Sequence, residues 1–275
     1  MMRHPRRAVI TGAGSGIGHA LAKGLAQDGA TCFLCDIDAR GLARAELPAV
    51  DGAVHHRHVL DVADRSGQIA AAALCVARFG VPDLVVLNAG ITTTGARIED
   101  IDPAHWRRIF SVNVDGVLYG LQAWIPHLLD AARPARILVI GSVLSHFGVP
   151  RAADYVATKH AVLALAEVAA MELRDTPVRV LLACPGLVDT SLAAGRRGGA
   201  LDDRPRGLPA PEAAARILEA VAQDDFLIFT HPEYAPALGA RHRATQHGLL
   251  RITDAPSEEN AAFLSGAVLS LYGTR

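Results

Sequence analysis

Strand-like and helix-like segments alternate along most of the chain, and two of the strand-like ones are unbroken apolar runs, Leu84-Val85-Val86-Leu87 and Ile137-Leu138-Val139-Ile140. A strand with one wet face alternates polar and apolar side chains. A continuous apolar run must be covered on both faces, which places it in a parallel sheet between two layers of helices. Strands are expected at 8–11, 31–36, 55–61, 84–88, 136–142, 178–184 and 226–230, and helices over roughly 16–28, 64–79, 104–130, 153–174 and 211–223. The last helix opens Pro209-Ala210-Pro211-Glu212, with proline near its start and an acid in its first turn. No internal repeat or low-complexity linker divides the 275 residues, so a single domain is expected. Two regions depart from the rhythm. Residues 188–208 carry Gly195-Arg196-Arg197-Gly198-Gly199 and are expected to form a surface loop, while 233–275 extend past the last strand with enough Leu and Ala for a further helix.

The first strand runs into Thr11-Gly12-Ala13-Gly14-Ser15-Gly16-Ile17-Gly18 and then a helix. Glycines at such a turn let the backbone approach a pyrophosphate, and the helix N-terminus supplies N–H groups and partial positive charge. No three glycines here stand at i, i+2 and i+5, so GxGxxG does not fit; TGxxxGxG does, through Thr11, Gly12, Gly16 and Gly18. Asp36 closes the second strand, about 20 residues further on, where a carboxylate can accept hydrogen bonds from the adenosine ribose. The same charge would repel a 2′-phosphate, which favours NAD over NADP. Arg40 is the nearby cation that could soften this preference.

The formal net charge of −1 argues against nucleic acid as a partner, because phosphate binding needs a basic surface. The basic N-terminus lacks the apolar stretch of a secretory signal, and no apolar run is long enough for a membrane span, so a cytoplasmic location is expected. Cys32 and Cys35 form a CxxC within a strand, where residues three apart point to opposite faces, so both are expected to be buried apolar groups. His55, His56 and His58 have no Cys or acidic partner at metal spacing, and no metal site is expected.

Tyr155 and Lys159 stand four residues apart at the opening of a long apolar helix. At that spacing they share a face, and the ammonium can favour the ionised form of the phenol. With the glycine turn and Asp36, this pair makes the chain resemble the short-chain dehydrogenase/reductase superfamily, in its single-domain branch. The resemblance runs from residue 7 to about 232 and rests on five motifs in order: Thr11–Gly18; Asp61-Val62; Asn88-Ala89-Gly90; Ser142 with Tyr155 and Lys159; and Pro185-Gly186 followed by Thr190. It implies a Rossmann-type doubly wound three-layer α/β sandwich with a seven-stranded, mostly parallel sheet.

The resemblance also implies residue roles. Gly12, Ser15, Gly16, Ile17 and Gly18 match the phosphate turn; Asp61 and Val62, the adenine contact; Asn88, Ala89 and Gly90, the ribose side. Pro185, Gly186, Val188 and Thr190 match the stretch holding the nicotinamide carboxamide. Asn113 matches the asparagine that orders a water leading toward the lysine, and Ser142 precedes Tyr155 by the family's thirteen residues. Gly141-Ser142-Val143 lacks the paired serines often seen there, which bears on Ser145 rather than Ser142.

The implied chemistry is hydride transfer between NAD and a secondary alcohol or ketone, with Tyr155 as acid/base, Lys159 lowering its pKa and binding the nicotinamide ribose, and Ser142 holding the substrate oxygen. Alternatives are an NADP-preferring ketone reductase, an epimerase or dehydratase, or an NAD-binding sensor without turnover. The segments expected over the nicotinamide, Ile91-Thr92-Thr93-Thr94, Leu144, His146-Phe147-Gly148-Val149-Pro150 and Leu192, are mostly apolar, consistent with a hydrophobic or aromatic substrate. Loop 188–208 would serve as a lid. His146 is read either as a substrate contact or as a surface histidine. Phe229-Thr230-His231-Pro232-Glu233 replaces the Gly-Gly ending of many family members, and a homodimer or homotetramer is expected.

Overall fold

The computed structural model describes residues 5–49, 54–190, 207–249 and 271–272. Seven strands form one sheet: β1 Arg7–Thr11, β2 Thr31–Asp36, β3 His56–Val59, β4 Leu84–Leu87, β5 Ala135–Ile140, β6 Val178–Cys184 and β7 Leu227–Phe229. Their spatial order is 3-2-1-4-5-6-7, and every neighbouring pair is parallel. The order reverses between β1 and β4, where Ala8, Val9 and Ile10 pair with Leu84, Val85 and Val86. Connections leave β1 and β4 in opposite directions there, which opens a crevice at the carboxyl ends of the strands.

The unbroken apolar runs are explained by the two layers they meet. Leu21 and Leu25 of α1 (Gly16–Gln27) and Ile217 and Val221 of α7 (Ala210–Val221) cover Ile10, Leu34, Leu138 and Leu181 on one face. On the other, α3 (Arg65–Phe79), α5 (Gly116–Asp130) and α6 (Ala153–Glu172) bring Ala72, Leu121, Trp124, Val162 and Ala166 onto Val9, Val85, Ile137 and Leu182. Each wholly buried Leu or Ile contributes roughly 1.5–3 kcal/mol relative to exposure. Cys32 and Cys35 fall in opposite layers, both buried and unpaired, as residues three apart on a strand must.

Four local features depart from the sequence expectation. The span 104–130 divides into α4 (Pro103–Phe110), a π-helical turn Ser111–Asp115 and α5. A six-residue α2 (Ala39–Arg44), capped by the Asp38 carboxylate accepting from Arg40 N at 2.9 Å, lies too short for periodicity to reveal. The ends of the expected loop 188–208 pair as short parallel strands, Val188 with Leu208 and Asp189 with Pro209; the residues between, including Leu192 and the Gly-Arg run, lie outside the described ones. Finally, β4 and β5 end one and two residues before the expected positions: Asn88 N turns to Thr11 Oγ1, while past Ile140 Gly141 N still donates to Ala183 O at 2.8 Å. Past β7, helix α8 (Ala235–Leu249) supplies the further helix expected in the extension.

Candidate active site

The glycine turn bridges β1 and α1 at the mouth of the crevice. Gly12 and Gly16 have φ of +64° and +55°, a left-handed backbone that glycine adopts without a Cβ penalty. A Cβ on Gly18 would stand 2.2 Å from Gly12 O and 2.4 Å from Asn88 Nδ2, so the start of α1 packs directly on the turn. Ser15 caps α1 in an extended conformation and is exposed, while Ile17 packs against the core below it. This glycine-lined turn at a helix N-terminus suits a pyrophosphate, because the first N–H groups of the helix and its partial positive charge lie there.

Two side chains fix the turn to neighbouring strands. Asn88 Nδ2 donates to Thr11 O at 2.9 Å and Gly12 O at 3.2 Å, while Asn88 N and Ala89 N both reach Thr11 Oγ1. From the other side, the Asp36 carboxylate accepts Gly14 N at 2.8 Å and Asp38 N at 2.9 Å. Asp36 thus stands at the end of β2 against the turn. Asp61 is exposed and accepts Ala63 N at 2.9 Å; Val62 is buried, and its carbonyl accepts Gln68 Nε2 at 2.6 Å. Thr190 meets the turn from above, its Cγ2 lying 3.2 Å from where a Gly16 Cβ would be.

The other half of the site is built on β5 and α6. Ser142 follows β5 and caps a 3-10 turn, Val143–Ser145; its Oγ accepts Leu144 N at 3.1 Å and donates to Pro185 O at 3.4 Å. Ser145 has a structural part, accepting Ser142 N on its Oγ at 3.2 Å. Tyr155 lies in the first turn of α6. One turn on, Lys159 is 6% exposed, donates to Ile140 O at 2.9 Å, and sets its Nζ 5.6 Å from the Tyr155 ring centre. Burial pulls the Lys159 ammonium down to about 8, partly offset by the Cys184 thiol, and burial pushes that thiol up to about 12.

Asn113 occupies the π turn, a feature frequent at functional sites. Its carboxamide clasps Ile91, accepting from Ile91 N at 2.8 Å and donating to Ile91 O at 2.9 Å, and it also donates to Thr158 Oγ1 at 3.1 Å. Thr158 in turn donates to Tyr155 O at 2.7 Å. Gly90 admits this clasp, since a Cβ there would lie 3.2 Å from Asn113 Oδ1.

Pro185 and Gly186 continue β6 toward Val188 and Thr190. Pro185 O accepts Val143 N at 2.9 Å, and Gly186 N donates to His231 Nδ1 at 3.0 Å. Sequence reasoning gave His231 no role, and it overlooked Asp154, a carboxylate 1% exposed beside Tyr155. Asp154 accepts Tyr155 N at 2.8 Å, and its other oxygen lies 3.2 Å from His105 Nε2 on α4, out of line for a hydrogen bond. His146 is not the surface histidine that one of its two readings expected. It is half-buried, its Nε2 is 3.5 Å from Cys184 Sγ, and its ring is 5.4 Å from that of Phe229; burial, with His160 and Arg241 near, lowers its pKa. Among the described residues no group of His, Cys, Asp and Glu could hold a metal ion, and no helix is long and apolar enough to cross a membrane.

A doubly wound parallel sheet with a glycine turn at its switch point, facing a tyrosine and a buried lysine one helical turn apart, defines a nucleotide-dependent α/β oxidoreductase. The chain belongs to the short-chain dehydrogenase family, whose sequence model, described as short chain dehydrogenase, matches residues 6–199. It is 35% identical over 241 residues to 1-deoxy-11-beta-hydroxypentalenate dehydrogenase of Streptomyces avermitilis, covering 87% of this chain and 89% of that one. It is 32% identical over 231 residues to cyclohexanol dehydrogenase of an Acinetobacter species, covering 82% and 91%. Among solved structures it is similar to a short chain dehydrogenase/reductase from Burkholderia phymatum in complex with NAD, with TM-score 0.80, 29% identity and coverage of 94% and 100%.

Proposed function

We propose that the protein is an NAD(H)-dependent oxidoreductase that interconverts a hydrophobic or aromatic secondary alcohol and its ketone, with Tyr155 as the acid/base. The observation that carries this reading is the buried Lys159, held by Ile140 O one helical turn beyond Tyr155. A buried ammonium is costly to the fold and finds no carboxylate partner among the described residues. Its use is electrostatic: a free tyrosine has a pKa of about 10, and a cation beside it favours the phenolate needed at neutral pH.

The turn Gly12–Gly18 and Asp36 would hold the adenosine diphosphate half of NAD, with Asp61 and Val62 at the adenine and Asn88, Ala89 and Gly90 at the ribose. Pro185, Gly186, Val188 and Thr190 would hold the nicotinamide end. Bound there, NAD supplies hydride acceptance and donation. In oxidation Tyr155 takes the proton of the substrate hydroxyl. Ser142 donates a hydrogen bond to the same oxygen; Leu144 N occupies its acceptor side, and its present acceptor, Pro185 O, is distant enough at 3.4 Å to be exchanged. The Asn113 carboxamide is committed to Ile91 and Thr158, so its share in a proton path falls to its backbone carbonyl within the π turn.

Asp36 supports NAD over NADP because its carboxylate, fixed at the turn by Gly14 N, would stand against a 2′-phosphate. The relatives support the substrate class: cyclohexanol is an alicyclic secondary alcohol, and the pentalenate enzyme is named as a hydroxyl dehydrogenase. The test is a panel of alicyclic and aromatic secondary alcohols and their ketones, followed by NADH absorbance with NADP in parallel. Turnover of such alcohols with higher kcat/KM for NAD is expected. No turnover across the panel, or a preference for NADP through Arg40, would overturn the corresponding part of the proposal.

A further inference from the structure

The backbone between β6 and the short strand at Val188 runs free of the main sheet, yet it is held on two sides. On one side Pro185 O receives Val143 N and Ser142 Oγ. On the other stands His231, two residues beyond β7 and 6% exposed. Gly186 N donates to His231 Nδ1 at 3.0 Å, and His231 Nε2 lies 2.9 Å from Leu187 O, which also receives Leu208 N at 2.8 Å. Thr230 Oγ1 shares Nδ1 at 2.6 Å. An imidazole nitrogen that accepts a backbone amide proton carries none of its own, which leaves Nε2 to donate to Leu187 O.

The contact is close as well as polar. A Cβ on Gly186 would lie 2.7 Å from His231 Cγ and 2.5 Å from Tyr234 Cε2, so glycine is needed for the ring to reach the backbone. The Tyr234 ring stands edge-on to His231 at 6.0 Å, and Arg216 Nη1 donates to Thr230 O, fixing the histidine from behind.

We infer that His231 is a positioning residue for the nicotinamide end of the cofactor, binding the Gly186 N–H with one ring nitrogen and the Leu187 carbonyl with the other. The inference rests on the proposed cofactor reading and extends it to a residue 45 positions from Gly186, outside the motifs that mark the site. Because His231 acts through the 185–190 backbone, its loss should spare the adenosine half, which β1, β2 and α1 hold.

The test compares wild type, His231→Phe and His231→Gln as full-length proteins, titrated with NADH and with ADP-ribose, which lacks nicotinamide. Phe keeps bulk without hydrogen bonds; the Gln carboxamide restores one acceptor and one donor. His231→Phe should weaken NADH about tenfold, the order expected for two lost backbone hydrogen bonds, and change ADP-ribose by less than about twofold. His231→Gln should recover most of the NADH affinity. Should the Phe variant not fold, His231→Asn, with an acceptor for Gly186 but no donor reaching Leu187, makes the same comparison. Equal losses for both ligands, unchanged NADH affinity, or Gln no better than Phe would overturn the positioning role. A wild type that binds neither ligand would instead remove the cofactor reading on which it rests.

Discussion

Replacing Lys159 with methionine should make the cofactor-free protein more stable while abolishing turnover. Burial lowers the Lys159 pKa from 10.5 to about 8, so at about 1.4 kcal/mol per unit its charge destabilises the folded state by about 3 kcal/mol at neutral pH. Methionine of similar length removes that penalty but leaves Ile140 O without its donor, a loss of about 1 kcal/mol. The net gain is about 2 kcal/mol, or about 5 °C in Tm for a chain of this size. The sign with pH follows from proton counting. Below pH 8 folded and unfolded chains both carry the proton, and the penalty is fully present. Between about 8 and 10.5 the unfolded chain keeps a proton that the folded one has lost, so wild-type stability rises relative to the variant and the advantage fades. Other titrating groups are common to both proteins and cancel in the difference. Urea unfolding followed by circular dichroism at about pH 7 and about pH 10 measures it. A variant less stable than wild type at the lower pH, or an advantage unchanged at the higher one, would refute the account of Lys159 as a strained functional cation.

Three further substitutions probe the rest of the site. Tyr155→Phe should reduce kcat by at least about a thousandfold, since it deletes the proposed proton acceptor, while NADH titration shows nearly unchanged binding. Asp36→Ala removes the acceptor of Gly14 N and Asp38 N and should lower kcat/KM for NAD about tenfold or more, with a smaller change for NADP; paired steady-state assays read the ratio. Gly18→Ala would place a methyl 2.2 Å from Gly12 O, so turn and helix must separate; a stability loss of roughly 1–3 kcal/mol in thermal melts and a parallel loss of NADH binding are expected.

The sheet was legible because its strands are buried on both faces, and only a parallel sheet between helices accommodates runs such as Leu84–Leu87 and Ile137–Ile140. The glycine turn and the Tyr155–Lys159 pair were legible for a different reason: each is a local requirement, of backbone conformation or of helical spacing, written within a few consecutive residues. The π turn was not. Apolar periodicity continues on either side of Ser111–Asp115, and the shift in backbone pairing that widens the helix leaves no mark in residue type. The boundary of β4 at Leu87 was equally hidden, since Asn88 leaves the strand to bond Thr11 at the end of β1 and Gly12 in the turn beyond it.

What escaped sequence reading in the site shares one property: its meaning lies in a partner distant along the chain. His231 gains a role only when β7 is placed beside β6, which brings it under Gly186, and Asp154 only when α4 packs on α6 and brings His105 alongside. The surface reading of His146 failed on the same account, because its neighbour Cys184 lies at the end of β6. The motif residues are themselves cross-linked by contacts that their spacing did not announce. Lys159 reaches back to Ile140, two residues before Ser142, and Asn113 joins Ile91, just past Gly90, to Thr158, the neighbour of Lys159. The loops after β4 and β5 are thereby bound to one helix, so a displacement of α6 would move Tyr155, Lys159 and the backbone at Ile91 and Ile140 together. That coupling explains why the buried ammonium is tolerated: it holds the end of β5 to α6 at the place where the proposed chemistry needs both.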